Sequence, residues 1–314
     1  MGSIRAKSGR GEPSDCPGGS KPQAEASSEG AVASGLYLVA TPIGNLGDVT
    51  LRALELLGKV DIVACEDTRV SRKLFAAHGL SPRRLVPYHE HNAARMRPRL
   101  LSELGRGRSI ALVSDAGTPL VSDPGHKLVR EAIALALPVS ALPGASALLA
   151  ALQLSGLPSE RFLFAGFLPA KAAERKKALA ELAPVRATLV LFETAPRLAS
   201  SLADMAELLG ERQAALAREL TKFHEEVRRA TLAELARHYR EAGPPKGEIV
   251  VVVGPPAAAA EPDEALVDGL LRAALAELSL RDAVARVAKA SGLSRRRVYA
   301  RALELAQGRH PEPE

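Results

Sequence analysis

LVSDAGTPLVSDPG (112–125) is the stretch whose reading decides the fold. It continues an apolar run that begins at Ile110, the pattern of a buried strand, and a helical pattern starts at His126. Between them stand small and turn-forming residues, which let a ligand come close to the backbone. Open α/β sheets hold their ligands at such strand C-termini. An ordinary strand–turn–helix loop has the same composition, so one occurrence decides little. The chain repeats the arrangement: TPIGNLGD (41–48) follows the run Leu36 to Ala40, and PGASA (143–147) follows Val139 to Leu142. Recurrence of such loops predicts one shared cleft.

Outward from this stretch, strands and helices alternate. Thr50 to Leu57 reads as a helix capped by Asp48 or Thr50, Val60 to Cys65 as a strand, and the helix after it runs to His78 and stops at Gly79. A short segment, Leu85 to Tyr88, precedes a basic helix over Ala93 to Gly105, and His126 to Leu135 is the next helix. This alternation predicts an α/β fold with a mostly parallel N-terminal sheet. Ala145 to Leu154 is a helix of small residues, and the pattern pauses at SGLPS (155–159).

The second half has strands at Phe162 to Ala165, Thr188 to Phe192, Ala214 to Arg218, Glu225 to Ala230 and Glu248 to Val253, with helices between them. The short link from Arg218 to Glu225 suits a hairpin, so this sheet is expected to be mixed. After the linker GPPAAAAEP (254–262), Ala265 to Leu278 is helical, and AVARVAKASGLSRRRVYARALEL (283–305) reads as helix, tight turn and helix, with Ser294 as N-cap. The expected organisation is a disordered extension over 1–34, α/β domains over 35–155 and 156–254, a linker over 255–263 and a helix-turn-helix-like domain over 264–309.

Composition narrows the function. The 314 residues carry a net charge of +6, which permits a polyanionic partner without demanding one. Cys16 and Cys65 make neither a disulfide framework nor a zinc site plausible. No apolar run reaches membrane-spanning length and no signal-peptide core is present, so a cytoplasmic protein is expected, without a membrane partner. Neither a dinucleotide-binding G-x-G-x-x-G nor a P-loop occurs.

Glu66-Asp67-Thr68-Arg69 ends a strand. Its two carboxylates suit a general base and its orienting partner, or equally a helix N-cap placed in the favourable dipole. His89-Glu90-His91, if extended, puts both imidazoles on one face, but no further ligand completes a metal site, so a polar or substrate-contacting loop is the better reading. Between Arg69 and Arg108 ten basic residues face two acids, an excess that suits phosphate contacts, although a solvated face has the same look. Few aromatics accompany it, which favours shape and backbone recognition over stacking. Glu193 to Arg197 and Arg218-Glu219 could be structural ion pairs or could bring second-domain strand ends to the cleft.

With these residues in view, the chain resembles the ribosomal RNA small subunit methyltransferase I family, a branch of the tetrapyrrole methylase superfamily. The resemblance rests on ATPIGNLGDVTLRAL (40–54), CEDTRVSRKL (65–74), YHEHN (88–92), VSDAGTPLVSDPG (113–125), LPGASA (142–147), FETAPR (192–197), ARELTK (217–222) and GEIVVVV (247–253), in family order. It implies a two-domain methylase with S-adenosylmethionine in the cleft, a homodimer, and 2′-O-methylation of a cytidine in the decoding region of 16S rRNA, as free RNA or in the small ribosomal subunit. The cofactor contacts it implies fall on Pro42, Asp115, Ala116, Gly117, Leu120, Ser146, Ala147, Phe192, Glu193 and Leu220. Glu66 and Asp67 become the candidates for the base, Arg69, Arg72, Lys73, His89, Arg95 and Arg97 for holding RNA, and Arg295 and Arg296 for a second RNA contact. A packing or dimer-supporting role for the C-terminal helices is the competing expectation. Porphyrin methylases carry G-G-D-P where this chain has Asp115-Ala-Gly-Thr118, which argues against the alternative of a tetrapyrrole substrate. A non-enzymatic nucleic-acid binder acting through its C-terminal helices is the third reading.

Overall fold

The computed structural model describes residues 32–257 and 263–306. Most of the expected N-terminal extension, with Cys16, the middle of the linker and the residues beyond 306 lie outside the described residues.

The first sheet is formed by β1 (Gly35–Val39), β2 (Ile62–Cys65), β3 (Leu85–Pro87), β4 (Ser109–Val113) and β5 (Val139–Leu142), in the order β3-β2-β4-β1-β5. Every pairing in it is parallel. Side chains alternate between its faces. Ile110 and Leu112 of β4 face α3 (Glu90–Gly105) and α4 (His126–Ala134), whereas Ala111 and Val113 face α1 (Leu51–Lys59) and α2 (Thr68–Ala77). A strand buried on both faces must be apolar throughout, which is why β4 reads as a continuous run. Each fully buried aliphatic side chain there contributes about 1.5–3 kcal/mol.

The strand order has a consequence for function. From β1 the chain crosses over β4 to reach β2, and from β4 it crosses over β1 to reach β5. The loops after these two neighbouring strands leave in opposite directions and open a crevice at their C-terminal ends. The loops are stitched together there: Thr41 and Gly117 exchange backbone hydrogen bonds of 2.9 and 3.0 Å.

The second sheet contains β6 (Phe162–Phe167), β7 (Thr188–Glu193), β8 (Gln213–Arg218), β9 (Glu226–Thr231) and β10 (Ile249–Val253), in the order β6-β7-β10-β8-β9. Only β6 and β7 are parallel, so the sheet is mixed. One face carries α6 (Ala172–Leu182), α7 (Leu198–Leu209) and α8 (Leu232–Ala242). The other is covered by α5 (Ala147–Ser155), with Ile43 from the loop after β1 in the same cluster. α5 thus precedes the pause in the sequence yet packs on the second sheet, which joins the two layers.

α9 (Glu264–Glu277), α10 (Leu280–Ser291) and α11 (Arg295–Ala306) enclose their own small core around Leu271, Val287 and Val298. Ser294 accepts the Arg297 N–H, the expected cap of α11.

Two local expectations need correction. The basic helix starts at Glu90 rather than Ala93, because Asn92 Oδ1 accepts the His89 N–H and draws the first turn back. His91 therefore sits on a helix, and the same-face argument for an extended segment fails. The second correction concerns the arginines. Arg83 and Arg108 pair with Asp61, and Arg84 and Arg106 with Glu103. Asp61 and Arg108 flank the first residues of β2 and β4, so this part of the basic stretch lies at the end of the sheet away from the crevice. Chain proximity did not imply spatial proximity.

Candidate active site

Two adjoining pockets occupy the crevice. The larger, about 510 Å³, lies between the sheets. The loop after β4 supplies Ala116, Gly117 and Thr118, the start of α5 supplies Ser146 and Ala147, and the end of β7 supplies Phe192 and Glu193. Gly247 to Val250 close it, because β10 is antiparallel to β7 and Ile249 pairs with Glu193. The smaller pocket, about 240 Å³, shares Ile43, Ala116 and Glu248 with the first and adds Pro42, Gly44, Lys73 and Asp115.

The loop after β4 holds an unusual backbone. Gly117 has φ +80°, and Leu120 and Ser122 lie in the left-handed region at +73° and +68°. A side chain at Gly117 would be strained and would also meet Ile43 Cγ2 at 3.1 Å. The loop is held by Thr118 Oγ1 donating to the Ala145 carbonyl (3.1 Å) and by Ser114 Oγ accepting the Ala116 N–H (3.1 Å). Such bracing keeps backbone edges facing the larger pocket, whose opposite wall is aromatic: Phe192 meets Phe164 and Phe167 edge-on.

Three carboxyls gather beside this loop. Glu66, Asp115 and Asp123 all have their pKa raised, first by burial; the charge of Asp115 adds to the rise at Glu66 and Asp123, and that of Asp67 to the rise at Asp115. Asp115 Oδ1 accepts the Asp67 N–H at 2.9 Å. Asp67 behaves differently. It caps α2 by accepting the Arg69 N–H, and it holds the Arg69 guanidinium at 2.6 Å. These bonds to Arg69 bring its carboxyl down to about 2. Of the two carboxylates singled out in the sequence, Glu66 is half-buried with a raised pKa and lines neither pocket, and Asp67 is the cap of α2.

Most of the expected cofactor residues converge on the pockets. Ala116, Gly117, Ser146, Ala147, Phe192 and Glu193 line the larger one, and Pro42 and Asp115 the smaller. Leu120 and Leu220 line neither. Leu120 packs against the core beneath β4, and Leu220 is buried in the cluster that contains Ile43. Glu193 also has a structural partner, Arg197, at 3.3 Å.

The expected RNA residues divide. Arg72 and Lys73 are exposed on α2, with Lys73 on the smaller pocket, while Arg69 is engaged by Asp67. His89 caps α3 and turns Nε2 toward Asn92, leaving Nδ1 buried without a hydrogen-bond partner. Arg95 is exposed, but Arg97 pairs with Glu131 of α4 at 2.8 Å. On α11, Arg295 and Arg296 are exposed, and Arg295 borders an open groove with Arg286 and Lys289. Arg301 is held by Asp268 of α9 through two bonds of 2.8 Å, so it locks the helices together instead of facing outward. Among the described residues, no group of three or more His, Cys, Asp or Glu is arranged to hold a metal ion.

Sequence reasoning missed Asp123 and Glu248. Asp123 sits in the opening stretch but was read there as a turn former. Glu248 has no local signal, because only antiparallel pairing in the second sheet brings the start of β10 to the cleft.

Residues 35–236 match the model of the Tetrapyrrole (Corrin/Porphyrin) Methylases, and residues 260–306 match that of the RsmI C-terminal HTH domain. A Ribosomal RNA small subunit methyltransferase I of Mesorhizobium japonicum is 56% identical over 271 residues, covering 86% of this chain and 92% of the relative. The chain belongs to the ribosomal RNA small subunit methyltransferase I family. Relatives in that family carrying the same name, from Erythrobacter litoralis and Pseudomonas aeruginosa, are 54% and 46% identical, each over 86% of this chain and over 95% and 96% of their own lengths.

Its fold is shared more widely than its sequence. A cobalt precorrin-4 methyltransferase superposes with TM-score 0.51 at 19% identity, over 70% of this chain and 94% of that one. Uroporphyrin-III-C-methyltransferase from Thermus thermophilus gives 0.51 at 24%, with the same shares. The methyltransferase I family thus sets its own residues on a scaffold also found in tetrapyrrole methylases.

Proposed function

We propose that this chain methylates the 2′-oxygen of a cytidine ribose in the decoding region of 16S rRNA, with S-adenosylmethionine as methyl donor. The carrying observation is the pairing of two pockets around one set of strand-end loops, with a half-buried Glu66 among carboxyls of raised pKa. The names of the relatives support rRNA of the small subunit as substrate.

The larger pocket fits a nucleoside-bearing cofactor. Its size is ordinary for such ligands, one wall is aromatic and the other is glycine-containing backbone. Gly117, Ser146, Ala147 and Phe192 would hold it, with Glu193 and Ala116 at its edges. S-adenosylmethionine bound here would supply a methyl group on a positively charged sulfur. The smaller pocket would take the ribose. A ribose hydroxyl is a weak nucleophile, and Glu66 is assigned to accept its proton as the new O–C bond forms. Arg72 and Lys73 would steady the adjoining phosphates, and Arg95, Arg295 and Arg296 would extend the RNA contact, while His89 serves the first turn of α3 through Asn92. Arg97 and Asp67 act on the protein itself, through Glu131 and Arg69.

We assign a homodimer, because the edge strand β6 exposes Phe162 and Leu163, and α5 exposes Leu149 and Leu154. No helix among the described residues is long and apolar enough to cross a membrane, and the proposed place of action is the cytoplasm, where small subunits are assembled. The test is transfer of label from S-adenosylmethionine to small subunits, followed by mapping of the labelled nucleotide. A 2′-O-methylcytidine in the decoding region supports the assignment. Label on a porphyrinoid, with RNA unlabelled, would leave only the fold.

A further inference from the structure

Phe223 is 96% exposed, more than any other large apolar side chain among the described residues. It stands at the tip of the β8–β9 hairpin, in the sequence Thr221-Lys222-Phe223-His224. On a loose loop such exposure would say little. This loop is braced. Glu219 and Thr221 adopt left-handed backbone at φ +50° and +65°, which costs free energy in non-glycine residues. The Thr221 N–H donates to Glu225 Oε2 at 2.7 Å, the Lys222 N–H to the Glu219 carbonyl at 3.0 Å, and the Glu225 N–H to the Lys222 carbonyl at 3.1 Å. Lys222 Nζ lies 2.8 Å from Glu219 and 3.3 Å from Glu248.

The bracing also ties the tip to the active site. Asn45 N–H donates to Thr221 Oγ1 at 3.1 Å, across 176 residues of chain. Gly44 lies so close that a Cβ there would meet Lys222 Cγ at 2.5 Å and Thr221 Oγ1 at 2.8 Å. Gly44 and Glu248 both line the smaller pocket. The hairpin tip that carries this exposed aromatic ring is therefore held against residues beside the pocket assigned to the ribose. Lys222 stands next to it, and His224 crosses it at 83° with ring centres 5.0 Å apart.

Resting on the RNA reading above, we propose that Phe223 is a stacking platform for a nucleobase of the substrate strand, at or beside the nucleotide whose ribose enters the smaller pocket. A ribose reaching that pocket carries its base out of the RNA stack, and an unstacked base is recognised by an aromatic face. The basic helices α2 and α3 supply little aromatic surface, and the platform comes from the opposite sheet. Because the loop is already ordered, binding costs little further conformational entropy.

The experiment measures methyl transfer to isolated small subunits by the full chain and by Phe223→Trp, Phe223→Leu and Phe223→Ala. Calorimetric affinity for S-adenosylmethionine and sedimentation velocity accompany the kinetics. Alanine and leucine are expected to raise KM for the subunit about 5- to 100-fold, the range set by stacking of one base. Tryptophan is expected to stay within about twofold, as its larger face keeps the stack. Cofactor affinity, melting temperature and oligomeric state should not move. The platform is overturned by alanine matching the unaltered chain, by leucine rescuing as well as tryptophan, or by alanine shifting the oligomeric state. Absence of transfer to RNA by the unaltered chain sinks the substrate reading and the platform together. Normal transfer with an unaffected alanine variant sinks the platform alone.

Discussion

Neighbouring carboxylates can be driven in opposite directions by what touches them, and Glu66 and Asp67 are such a pair. Burial holds Glu66 above the usual range, whereas bonds to Arg69 hold Asp67 near 2. Glu66→Gln is therefore expected to lower kcat by about 10²- to 10⁴-fold and to remove the acidic limb of the pH–rate profile, since the base must be ionised. Asp67→Asn should retain that limb; a profile altered by Asp67 and indifferent to Glu66 would reverse the assignment. Stability gives a second readout. Asp123 has a folded pKa above its unfolded value, so the folded state binds the extra proton and stability falls as pH rises through that range. Asp123→Asn should raise the melting temperature at pH 7, with the gain shrinking as pH falls through the raised folded pKa and gone by about pH 4, the unfolded value. For Asp67 the sign is opposite: its contribution is present above about pH 4 and is lost as pH falls toward 2. A melting curve for Asp123→Asn that is shifted downward at neutral pH would show that its hydrogen bonds outweigh its burial. None of these differences was legible in Glu66-Asp67, where local sequence supports a base and a cap equally.

At the scale of elements, the chain's periodicity placed most helices and strands within a few residues. Thr50 accepts the Ala53 N–H as the cap of α1, and Thr231 and Glu234 form a capping box at α8. Errors arose where a side chain reaches back to the backbone, as Asn92 does at α3, or where charge is consumed by a partner distant in the chain. Arg175 and Asp204 show the second case. They join α6 to α7 through a bond of 2.7 Å with both side chains nearly buried, and neither attracts notice in the sequence. Asp204→Ala would leave a buried guanidinium without its partner and should cost about 3–5 kcal/mol by urea denaturation. In the C-terminal helices, Arg301→Ala removes the lock to Asp268 and should cost their local stability about 2 kcal/mol, read from hydrogen exchange in α9 and α11. Equal protection in both proteins would mean that the apolar core around Val298 suffices. The sequence does not single Arg301 out from Arg295 and Arg296, because spacing along a helix does not say which face meets a neighbour.

For the whole molecule, one cleft and one separate helical core divide the work. Arg295→Ala with Arg296→Ala should leave S-adenosylmethionine affinity unaltered, raise KM for the subunit and reduce the slope of log K against log salt by about 1–2. An unchanged salt slope would favour a packing role for α11. The chain by itself determined the alternation of strands and helices, the parallel first sheet, the mixed second sheet and the loops that meet at the cleft. These follow from hydrophobic period and turn chemistry, which act over a few residues and so are written locally. Only the tertiary structure decided that α5 covers the second sheet, that Glu248 enters the cleft from the start of an antiparallel strand, and that four of the ten basic residues of that stretch lie at the far end of the first sheet. It also decided that the hairpin tip bearing Phe223 is tied to the loop after β1, through a bond between Asn45 and Thr221. Each of these depends on strand order and on pairs far apart in the chain, and burial and charge partnership take their values only after those pairs have formed.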